Sequence, residues 1–204
     1  MQFIVIEGLD GSGKSTVTKL LAQRFADLDL PCHRTFEPTK NQVGTLIRSI
    51  LSGESAPVSN DTMALLFVAD RQEHVYNEIL PVLMAGNYVV CDRYSLSNMA
   101  YQGLDDEYLE RVVHYNHHAI SYVRPDITFF INVTPAECIK RIEKRGGDKS
   151  IYETLEGLKS IYKRYMAAIN RMKKTDHIVI VGNDTVTPQE IVAEIWTHIK
   201  PADV

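Results

Sequence analysis

The clearest pattern along the chain is a series of short, continuous apolar runs rather than an alternation of apolar and polar residues. Four such runs cover residues 3–6, 88–91, 127–133 and 177–181, and a weaker stretch covers residues 32–36. Continuous apolarity over a few residues suits a strand of a parallel sheet, because helices cover both faces of such a sheet. The pattern therefore predicts five buried, parallel strands.

Segments with helical periodicity separate these strands, and they cover residues 14–27, 43–51, 62–85, 106–122, 135–144 and 155–173. Two helix starts share one signature, in which a Thr can cap the helix, a Pro is the first helical residue and a Glu the third. These starts are residues 134–137 and 187–190. With no repeat or linker, the order of elements predicts a single unit, residues 1–204, with an α/β doubly wound fold: a parallel five-stranded sheet flanked by helices in three layers.

Composition and charge narrow the class of protein. Hydrophobic residues make up 45% and charged residues 24%, the balance of a globular protein. The net charge is −4 with both signs interspersed, whereas a DNA-binding protein normally presents a basic face, so we expect no nucleic-acid partner. No apolar run approaches the ~20 residues that span a bilayer, and the N-terminus does not resemble a signal peptide. We therefore expect no membrane contact. The three cysteines form no CxxC pair, so we expect neither a zinc site nor a disulfide, and a cytoplasmic location.

The glycine-rich segment near the N-terminus contains a phosphate-binding motif. Residues 8–15, GLDGSGKS, fit the P-loop pattern G-x-x-x-x-G-K-[ST] and lie between a predicted strand and a predicted helix. Glycines allow backbone N–H groups to surround phosphates, and the following helix directs its positive end at them. Lys14 can reach the transferred phosphate, and the Ser15 hydroxyl can bind Mg²⁺. The motif predicts a P-loop NTPase fold in which ATP contacts Gly8, Leu9, Asp10, Gly11, Ser12, Gly13, Lys14, Ser15 and Thr16.

One predicted helix carries side chains suited to a nucleotide acceptor. Phe67, Arg71 and His74 fall at positions i, i+4 and i+7, on one helical face. An aromatic ring beside a guanidinium can stack on a base while the cation binds a carbonyl or phosphate oxygen. A core Phe beside a surface Arg would give the same pattern, so this segment alone leaves the interpretation open.

Two further candidate segments follow the predicted strand at residues 88–91. Asp92 and Arg93 end this strand, which puts the acid near the phosphates, where it can orient a Mg²⁺-bound water, and the cation near an acceptor phosphate. A solvated ion pair is the alternative. Asn98 and Tyr101 then share a helical face, and the amide of Asn carries paired donors and acceptors that can read a base edge.

Four stretches in this order, IEGLDGSGKST, LLFVADR, DRYSLSNMAYQG and RPDITFFINVTPAECIKRIEKRG, resemble the thymidylate kinase family and in particular its bacterial form. The resemblance extends from residue 3 to about residue 165, and DRY…S.AYQG is its most specific part. It implies ATP-dependent phosphorylation of thymidine monophosphate (dTMP) to dTDP in deoxynucleotide synthesis. It also implies Mg²⁺ as cofactor and a homodimer as the assembly.

The resemblance implies roles for individual residues as well. Phe67 would stack on thymine, and Arg71 would bind the base carbonyl and could also contact the phosphate. Arg48 and Arg93 would hold the dTMP phosphate, while Tyr101 would crowd the 2′ position of the sugar and favour deoxyribose. The amides at positions 98 and 102 would contact the thymine edge. The implied dTMP site consists of Glu37, Arg48, Phe67, Arg71, Arg93, Ser97, Asn98, Tyr101 and Gln102.

The P-loop acid and the metal site follow from the same resemblance. Asp10 matches an acid that lies near the acceptor sugar and the metal in the family. Mg²⁺ would be held by Ser15 and Asp92, partly through water. Some family members carry an arginine directly after the P-loop acid, but this chain has Gly11, so the transition-state cation must come from elsewhere.

A basic loop at about residues 145–153 is the expected source of that cation. Arg145 and Lys149 flank two glycines that permit hinge motion, and an arginine near the γ-phosphate is a common way to stabilise its charge. Arg141, one turn earlier, could cover the adenine ring. Both arginines could instead complement the helix dipole. The predicted catalytic residues are Asp10, Lys14, Arg93, Arg145 and Lys149.

Two positions depart from the bacterial pattern, since Lys149 and Phe36 stand where arginines are usual. Lysine lacks the fork geometry of arginine, and the change at position 36 removes an expected phosphate or structural contact. We therefore expect Arg48 to carry more of the phosphate binding.

Other functions could use the same motifs. A kinase for another nucleoside monophosphate or a deoxynucleoside is one alternative, although a nucleoside acceptor would not need the phosphate contacts of Arg48 and Arg93. A non-catalytic P-loop module is a second alternative, which the intact P-loop lysine disfavours. Three histidines lie within residues 114–118, but a zinc-protease helix would need Glu where this chain has Tyr115, so we expect a polar helix surface there.

Overall fold

A computed structural model describes residues 1–146 and 153–199. In this part of the chain the strands form one five-stranded sheet with all neighbours parallel, in the order β2-β3-β1-β4-β5. This confirms the predicted α/β class and the parallel five-stranded sheet. The strands are β1 Phe3–Gly8, β2 Cys32–Phe36, β3 Tyr88–Asp92, β4 Ile127–Ile131 and β5 Ile178–Val181.

Helices cover both faces of the sheet. Ile4 and Ile6 pack into one hydrophobic core, and the alternate residues Phe3 and Val5 pack into another. The helices are α1 Lys14–Ala26, α2 Gln42–Ser52, α3 Asn60–His74, α4 Leu80–Met84, α5 Ser95–Gln102, α6 Asp106–Tyr122, α7 Pro135–Arg145, α8 Leu155–Met172 and α9 Pro188–Trp196. None of the helices in residues 1–146 and 153–199 combines the length and the apolarity needed to cross a membrane.

Both predicted Thr-Pro helix starts are confirmed. Thr134 caps α7 and Thr187 caps α9, each by accepting a hydrogen bond from the backbone N–H of the Glu three residues later. Around Thr187 the capping box is complete, because the Glu190 side chain also accepts a hydrogen bond from the Thr187 backbone N–H at 2.8 Å. Local side-chain chemistry sufficed to predict these helix boundaries.

Two predicted elements differ from the structure. The single helix predicted for residues 62–85 is wrong, because a π-helical turn, Val75–Ile79, separates α3 from α4. Pro81 in the first turn of α4 has no backbone N–H to donate to the preceding turn, which favours an irregular hydrogen-bond pattern there. The strand predicted for residues 127–133 ends at Ile131, because Val133 turns back and donates to the Ile131 carbonyl at 3.1 Å.

The order of the strands brings the motifs together. β1 is the central strand, and its Ile6 lies opposite Asp92 of β3. The P-loop that follows β1 therefore lies beside Asp92 at the carboxyl edge of the sheet. On the other side of β3, the backbone N–H of Glu37 donates to the Asp92 carbonyl at 3.0 Å. Ligand sites in doubly wound folds lie at this edge.

Candidate active site

The P-loop connects β1 to α1 in a conformation suited to phosphate. Gly13 precedes α1 with φ 95°, a left-handed backbone, and its carbonyl starts the helix by accepting from the Thr16 N–H at 3.0 Å. The hydroxyl of Ser12 is buried within the loop and has no hydrogen-bond partner among the described residues. Since buried polar atoms rarely lack a partner, this hydroxyl fits a loop built to receive an anionic ligand.

Lys14 lies beneath the loop rather than in solvent. Its Nζ donates to the Leu9 carbonyl at 2.7 Å, and only 6% of the residue is exposed. Burial lowers the pKa of Lys14, and the nearby charge of Arg93 lowers it further, whereas the carboxylates of Asp10 and Asp92 oppose this shift. The buried ammonium therefore lies against the loop that is predicted to bind phosphate.

Ser15 and Asp92, the residues predicted to hold Mg²⁺, are in contact. The Ser15 hydroxyl donates to Asp92 Oδ2 at 2.7 Å, joining the start of α1 to the end of β3. A hydroxyl and a carboxylate are hard oxygen ligands of the kind that Mg²⁺ takes, and Mg²⁺ usually completes its coordination with water and substrate phosphates. Within residues 1–146 and 153–199 there is no group of three or more His, Cys, Asp and Glu side chains that could hold a metal.

A cavity of about 990 Å³ extends from the P-loop along α7 and the loop before α9. Arg141 and Arg145 line it from one side and residues 184–188 from the other. Arg141 is held in place, because its Nε donates to Glu137 Oε1 at 2.9 Å and one Nη donates to the Asp184 carbonyl at 3.1 Å. We refer to this space as the donor cavity, since it contains the P-loop.

A second cavity, of about 330 Å³, lies on the other side of Arg93 and is called here the acceptor cavity. Asp10, Phe36 and Arg93 line both cavities, so the two spaces meet at these side chains. This junction places a ligand of one cavity next to a ligand of the other. Six of the predicted acceptor residues line the second cavity, namely Arg48, Phe67, Arg93, Ser97, Tyr101 and Gln102.

Arg93 is the most constrained side chain at the junction. Its backbone has φ 72°, a left-handed conformation that is uncommon for a residue with a side chain. One Nη donates to Ser97 Oγ at 3.0 Å and to Tyr165 Oη at 3.3 Å, and the other donates to Asp10 Oδ1. Strained residues of this kind concentrate at functional sites, where the surrounding structure holds them.

Asp10 is held from two sides. The Tyr101 hydroxyl donates to its Oδ2 at 2.8 Å, and Arg93 contacts its Oδ1. Burial disfavours ionisation of Asp10, but the charges of Arg93 and Lys14 and these two hydrogen bonds outweigh it and lower the pKa to about 2. Asp10 is therefore a carboxylate at neutral pH.

Other predicted acceptor residues lie behind the cavity wall. Arg71 is only 1% exposed; one Nη donates to Glu37 Oε2 at 2.5 Å and the other to Asn116 Oδ1. Burial disfavours the charged form of Arg71, but the charge of Glu37 outweighs it and the pKa is raised. Asn98 is also buried and donates to Gln102 Oε1 at 3.1 Å.

Three of the predicted acceptor residues do not line the acceptor cavity. Arg71 and Asn98 do not line the acceptor cavity, and Glu37 lines the donor cavity instead. A buried arginine needs a paired carboxylate, which explains why Glu37 faces Arg71. The Nε of Arg71 is nevertheless buried without a partner among the described residues, so this group retains a free donor. Direct contacts of these three side chains with dTMP stay predictions.

Comparison with known proteins identifies the family. A family model described as thymidylate kinase matches residues 6–195, which is nearly the whole chain. The chain belongs to the thymidylate kinase family.

Individual relatives agree with this assignment. The probable thymidylate kinase of Pyrococcus horikoshii is 45% identical over 151 residues, 71% of this chain and 71% of that protein. The probable thymidylate kinase of Methanococcus aeolicus is 36% identical over 196 residues, 95% of this chain and 93% of the relative. The thymidylate kinase of Leptospira borgpetersenii is 35% identical over 192 residues, covering 94% and 90%. Family members are nucleoside monophosphate kinases, so the predicted enzyme class is confirmed.

The basic loop that the resemblance implies as a lid is only partly within the described residues. Arg145 ends α7 at the donor cavity, and its Nη donates to Glu153 Oε1 at 3.0 Å. Glu153 itself lines the acceptor cavity. This ion pair thus connects the two ends of the loop across the two cavities. Lys149, the other predicted lid cation, lies outside the described residues.

The structure adds residues that the sequence analysis gave no role. Glu7 is a fully buried acid in β1, and Tyr165 of α8 contacts both Glu7 and Arg93. A sign of Glu7 was visible in the sequence, because an acid within the apolar run FIVIEG requires buried partners. Nothing local distinguishes Tyr165 or Glu153, since their partners lie far away in the chain.

Proposed function

We propose that the chain carries out the reaction of its family at the junction of the two cavities. The γ-phosphoryl group of ATP is transferred to the phosphate of dTMP, giving ADP and dTDP. The observation that carries this proposal is that the donor and acceptor cavities share Asp10 and Arg93. A phosphate bound on each side would lie within reach of the same arginine.

On the donor side, the P-loop backbone binds the phosphates of ATP and Lys14 neutralises charge on the transferred group. Arg141 lies where it can cover the adenine. Ser15 and Asp92 would hold Mg²⁺, because Ser15 Oγ and Asp92 Oδ2 lie only 2.7 Å apart and both are oxygen ligands. When bound, Mg²⁺ neutralises phosphate charge and orients the phosphates.

On the acceptor side, Phe67 presents a ring for the base, Gln102 an amide for its edge, and Tyr101 a ring beside the sugar. Arg48 and Arg93 hold the phosphate. In the structure one Nη of Arg48 donates to the backbone carbonyls of Pro38 and Thr39, which fixes the guanidinium at the cavity. The predicted base stacking and edge contacts are compatible with this lining.

The transfer proceeds by in-line displacement. An oxygen of the dTMP phosphate forms a bond to the γ-phosphorus while the bond between the γ-phosphorus and the β–γ bridging oxygen breaks. The attacking phosphate is ionised at neutral pH, so no strong general base is needed, and catalysis consists of positioning and charge stabilisation. Lys14 and Arg145 supply positive charge to the γ-phosphate, while Arg93, fixed by Asp10, positions the acceptor.

A coupled assay of ADP release tests the proposal. ATP turnover is measured with dTMP, dUMP, dCMP, dAMP and thymidine as acceptors. We expect turnover with dTMP to be modestly faster than with dUMP, since one methyl group in an apolar pocket contributes about 1–3 kcal/mol. Turnover with dCMP and dAMP should be much slower, because a mismatched base edge leaves buried polar groups unpaired. A preference for dCMP or dAMP contradicts the acceptor, a preference for thymidine indicates a deoxynucleoside kinase, and no acceptor-dependent turnover indicates a non-catalytic module.

The assembly and location are part of the same proposal. A homodimer through the outer face of α3, the π-helical turn and α6 is supported by Leu65, Tyr76 and Tyr122, which are 48%, 47% and 47% exposed on that face. The amide of Gln72, on the same helix, is buried without a partner among the described residues. Sedimentation equilibrium at micromolar concentration should give a dimer and Leu65→Arg a monomer; a wild-type monomer contradicts the assembly. The predicted location is the cytoplasm.

A further inference from the structure

Glu7 lies at the centre of the sheet, where a carboxylate is unusual. It belongs to β1, and none of its surface is exposed. The hydrogen bonds that its side chain accepts come from donors of α5, of the residue before α5 and of α8. Oε1 accepts from the backbone N–H groups of Tyr94 and Ser97 at 2.9 and 3.0 Å, and Oε2 accepts from the hydroxyls of Ser97 and Tyr165 at 2.5 and 3.0 Å.

The two hydroxyls that donate to Glu7 are also the acceptors of Arg93. One Nη of Arg93 donates to Ser97 Oγ at 3.0 Å and to Tyr165 Oη at 3.3 Å. The two hydroxyl oxygens also lie 2.7 Å apart, so Glu7, Ser97, Tyr165 and Arg93 form one hydrogen-bond network. Each hydroxyl has a single hydrogen to donate, to Glu7 or to the other hydroxyl, and accepts from Arg93 through a lone pair. A carboxylate at Glu7, which only accepts, keeps these hydrogens away from the guanidinium and leaves both hydroxyl oxygens available to it.

Glu7 also holds the backbone that carries Arg93. The left-handed φ of 72° at Arg93 directs the chain into α5, and the next N–H, that of Tyr94, is the one that Glu7 accepts. The Arg93 N–H is bound to the Ile6 carbonyl at 2.9 Å, the residue before Glu7. One strand position thus fixes both the main chain and the terminal nitrogen of the same arginine.

We propose that Glu7 is a positioning residue for Arg93, orienting its guanidinium for the acceptor phosphate through Ser97 and Tyr165. This inference rests on the proposed function, in which Arg93 binds that phosphate. Glu7 does not line either cavity, so it acts on the substrate only through the arginine.

The negative charge of Glu7 matters as well as its shape. Burial raises the pKa of Glu7, while the hydrogen bond from Ser97 and the charge of Arg93 oppose that shift. Four donors converge on its two oxygens, and a carboxylate satisfies all of them because it only accepts. In Glu7→Gln, one oxygen becomes an NH₂ group facing two donors, so the hydroxyls must rotate and compete with Arg93.

The test compares ligands with and without a phosphate. The dissociation constant for dTMP and the inhibition constant of thymidine are measured for wild type, Glu7→Gln and Tyr165→Phe. Tyr162→Phe is the matched control: this tyrosine is on the same helix, three residues earlier, and its hydroxyl donates to Asn132 Oδ1 at 2.8 Å, away from both cavities. If Arg93 loses its orientation, dTMP binding weakens and thymidine binding does not.

We expect the dTMP dissociation constant to rise about tenfold in Glu7→Gln and in Tyr165→Phe. This is the lower end of the loss in affinity or activity when a residue that orients a metal ligand is removed. The inhibition constant of thymidine should stay within about twofold of the wild-type value. Tyr162→Phe should change neither. Equal losses for both ligands, or an unchanged ratio in either variant, overturn the inference. If Glu7→Gln does not fold, Tyr165→Phe decides alone. Wild type that does not turn over dTMP contradicts the proposed function itself, which is a separate result.

Discussion

A β-carbon on Gly11 would lie 2.5 Å from the carbonyl oxygen of Cys138, a distance that side chains do not tolerate. Helix α7 therefore packs its backbone directly against the P-loop. The backbone of Gly11 also has φ +82°, which L-amino acids rarely adopt. An arginine directly after the P-loop acid, as some family members have, finds no room here, so the cation must reach the γ-phosphate from another element.

Gly11→Ala should therefore destabilise the protein and lower ATP turnover. The matched control is Gly53→Ala, because Gly53 has the same φ of +82° but nothing lies within 4 Å of an added β-carbon. Both variants incur the left-handed strain of about 1–2 kcal/mol, and only Gly11→Ala adds a steric cost of about 1–3 kcal/mol. Urea denaturation measures the difference, and equal losses of unfolding free energy would contradict the close packing.

Lys14→Ala should abolish turnover while the fold remains intact. The ammonium supplies charge to the transferred phosphate, and loss of one such donor in other enzymes costs about 2.7–4 kcal/mol, on the order of 100-fold or more in kcat. Lys19→Ala, an exposed position of the same helix, is the control and should keep wild-type kcat. The coupled assay gives kcat, and thermal unfolding reports the fold. A Lys14→Ala enzyme with more than a tenth of wild-type kcat would refute the assigned role.

The lowered pKa of Asp10 predicts a defined acid sensitivity. In the folded protein the pKa of Asp10 is about 2, below the 3.8 that is usual for an aspartate, so its contribution to stability is complete well above pH 4 and is lost as pH falls towards 2. The shift corresponds to about 2 kcal/mol of unfolding free energy. Asn cannot titrate, so the stability difference between wild type and Asp10→Asn should narrow between pH 5 and 3 in urea titrations. A difference that stays constant over this range would exclude the Asp10–Arg93 pair as its cause.

The predictions that succeeded rest on local patterns. Apolar runs marked all five strands, and Thr187 with Pro188 and Glu190 marked a helix start, because capping and burial act over a few residues. The P-loop followed from its spacing and from its position between a predicted strand and a predicted helix. The acceptor cavity followed from the resemblance, and Phe67 and Gln102 do line it.

The predictions that failed depended on distant packing. Helical periodicity continues through Val75–Ile79, so the apolar pattern did not predict the π-helical turn. The burial of Arg71 also depends on distant packing, because its partner Glu37 lies 34 residues away in the chain, and its contact with dTMP stays a prediction. The link between Glu7 and Tyr165 spans 158 residues and becomes visible only when α8 packs against the sheet.

Arg145, which forms an ion pair with Glu153, is the predicted lid cation within the described residues. Arg145→Ala should lower kcat strongly, because the cation at the donor cavity is lost, and should leave dTMP affinity nearly unchanged. Lys144→Ala is the control, as it removes a neighbouring exposed cation from the same helix. Steady-state kinetics give kcat, and calorimetry gives the dTMP dissociation constant. Equal losses in kcat and in dTMP binding would place Arg145 at the acceptor instead, acting through Glu153.

Tyr101 offers a test of sugar selectivity in which ring and hydroxyl can be separated. Its ring lines the acceptor cavity, and its hydroxyl donates to Asp10 at 2.8 Å. Tyr101→Phe keeps the ring and loses the hydroxyl, which bonds Asp10 and accepts from Arg93 at 3.4 Å, so turnover should fall while the preference for deoxyribose remains.

Tyr101→Ala removes the ring and opens space where a ribose 2′-hydroxyl would lie. The measurement is kcat/KM for dTMP and for ribothymidine monophosphate in wild type and both variants. We expect the ribose-to-deoxyribose ratio to rise by about tenfold or more in Tyr101→Ala, the low end of what one small group contributes to discrimination, and to stay within about twofold in Tyr101→Phe. A ratio that is the same in all three enzymes would mean that another side chain excludes the 2′-hydroxyl. An equal rise in both variants would mean that the hydroxyl, through its contacts with Asp10 and Arg93, holds the selective geometry rather than the ring.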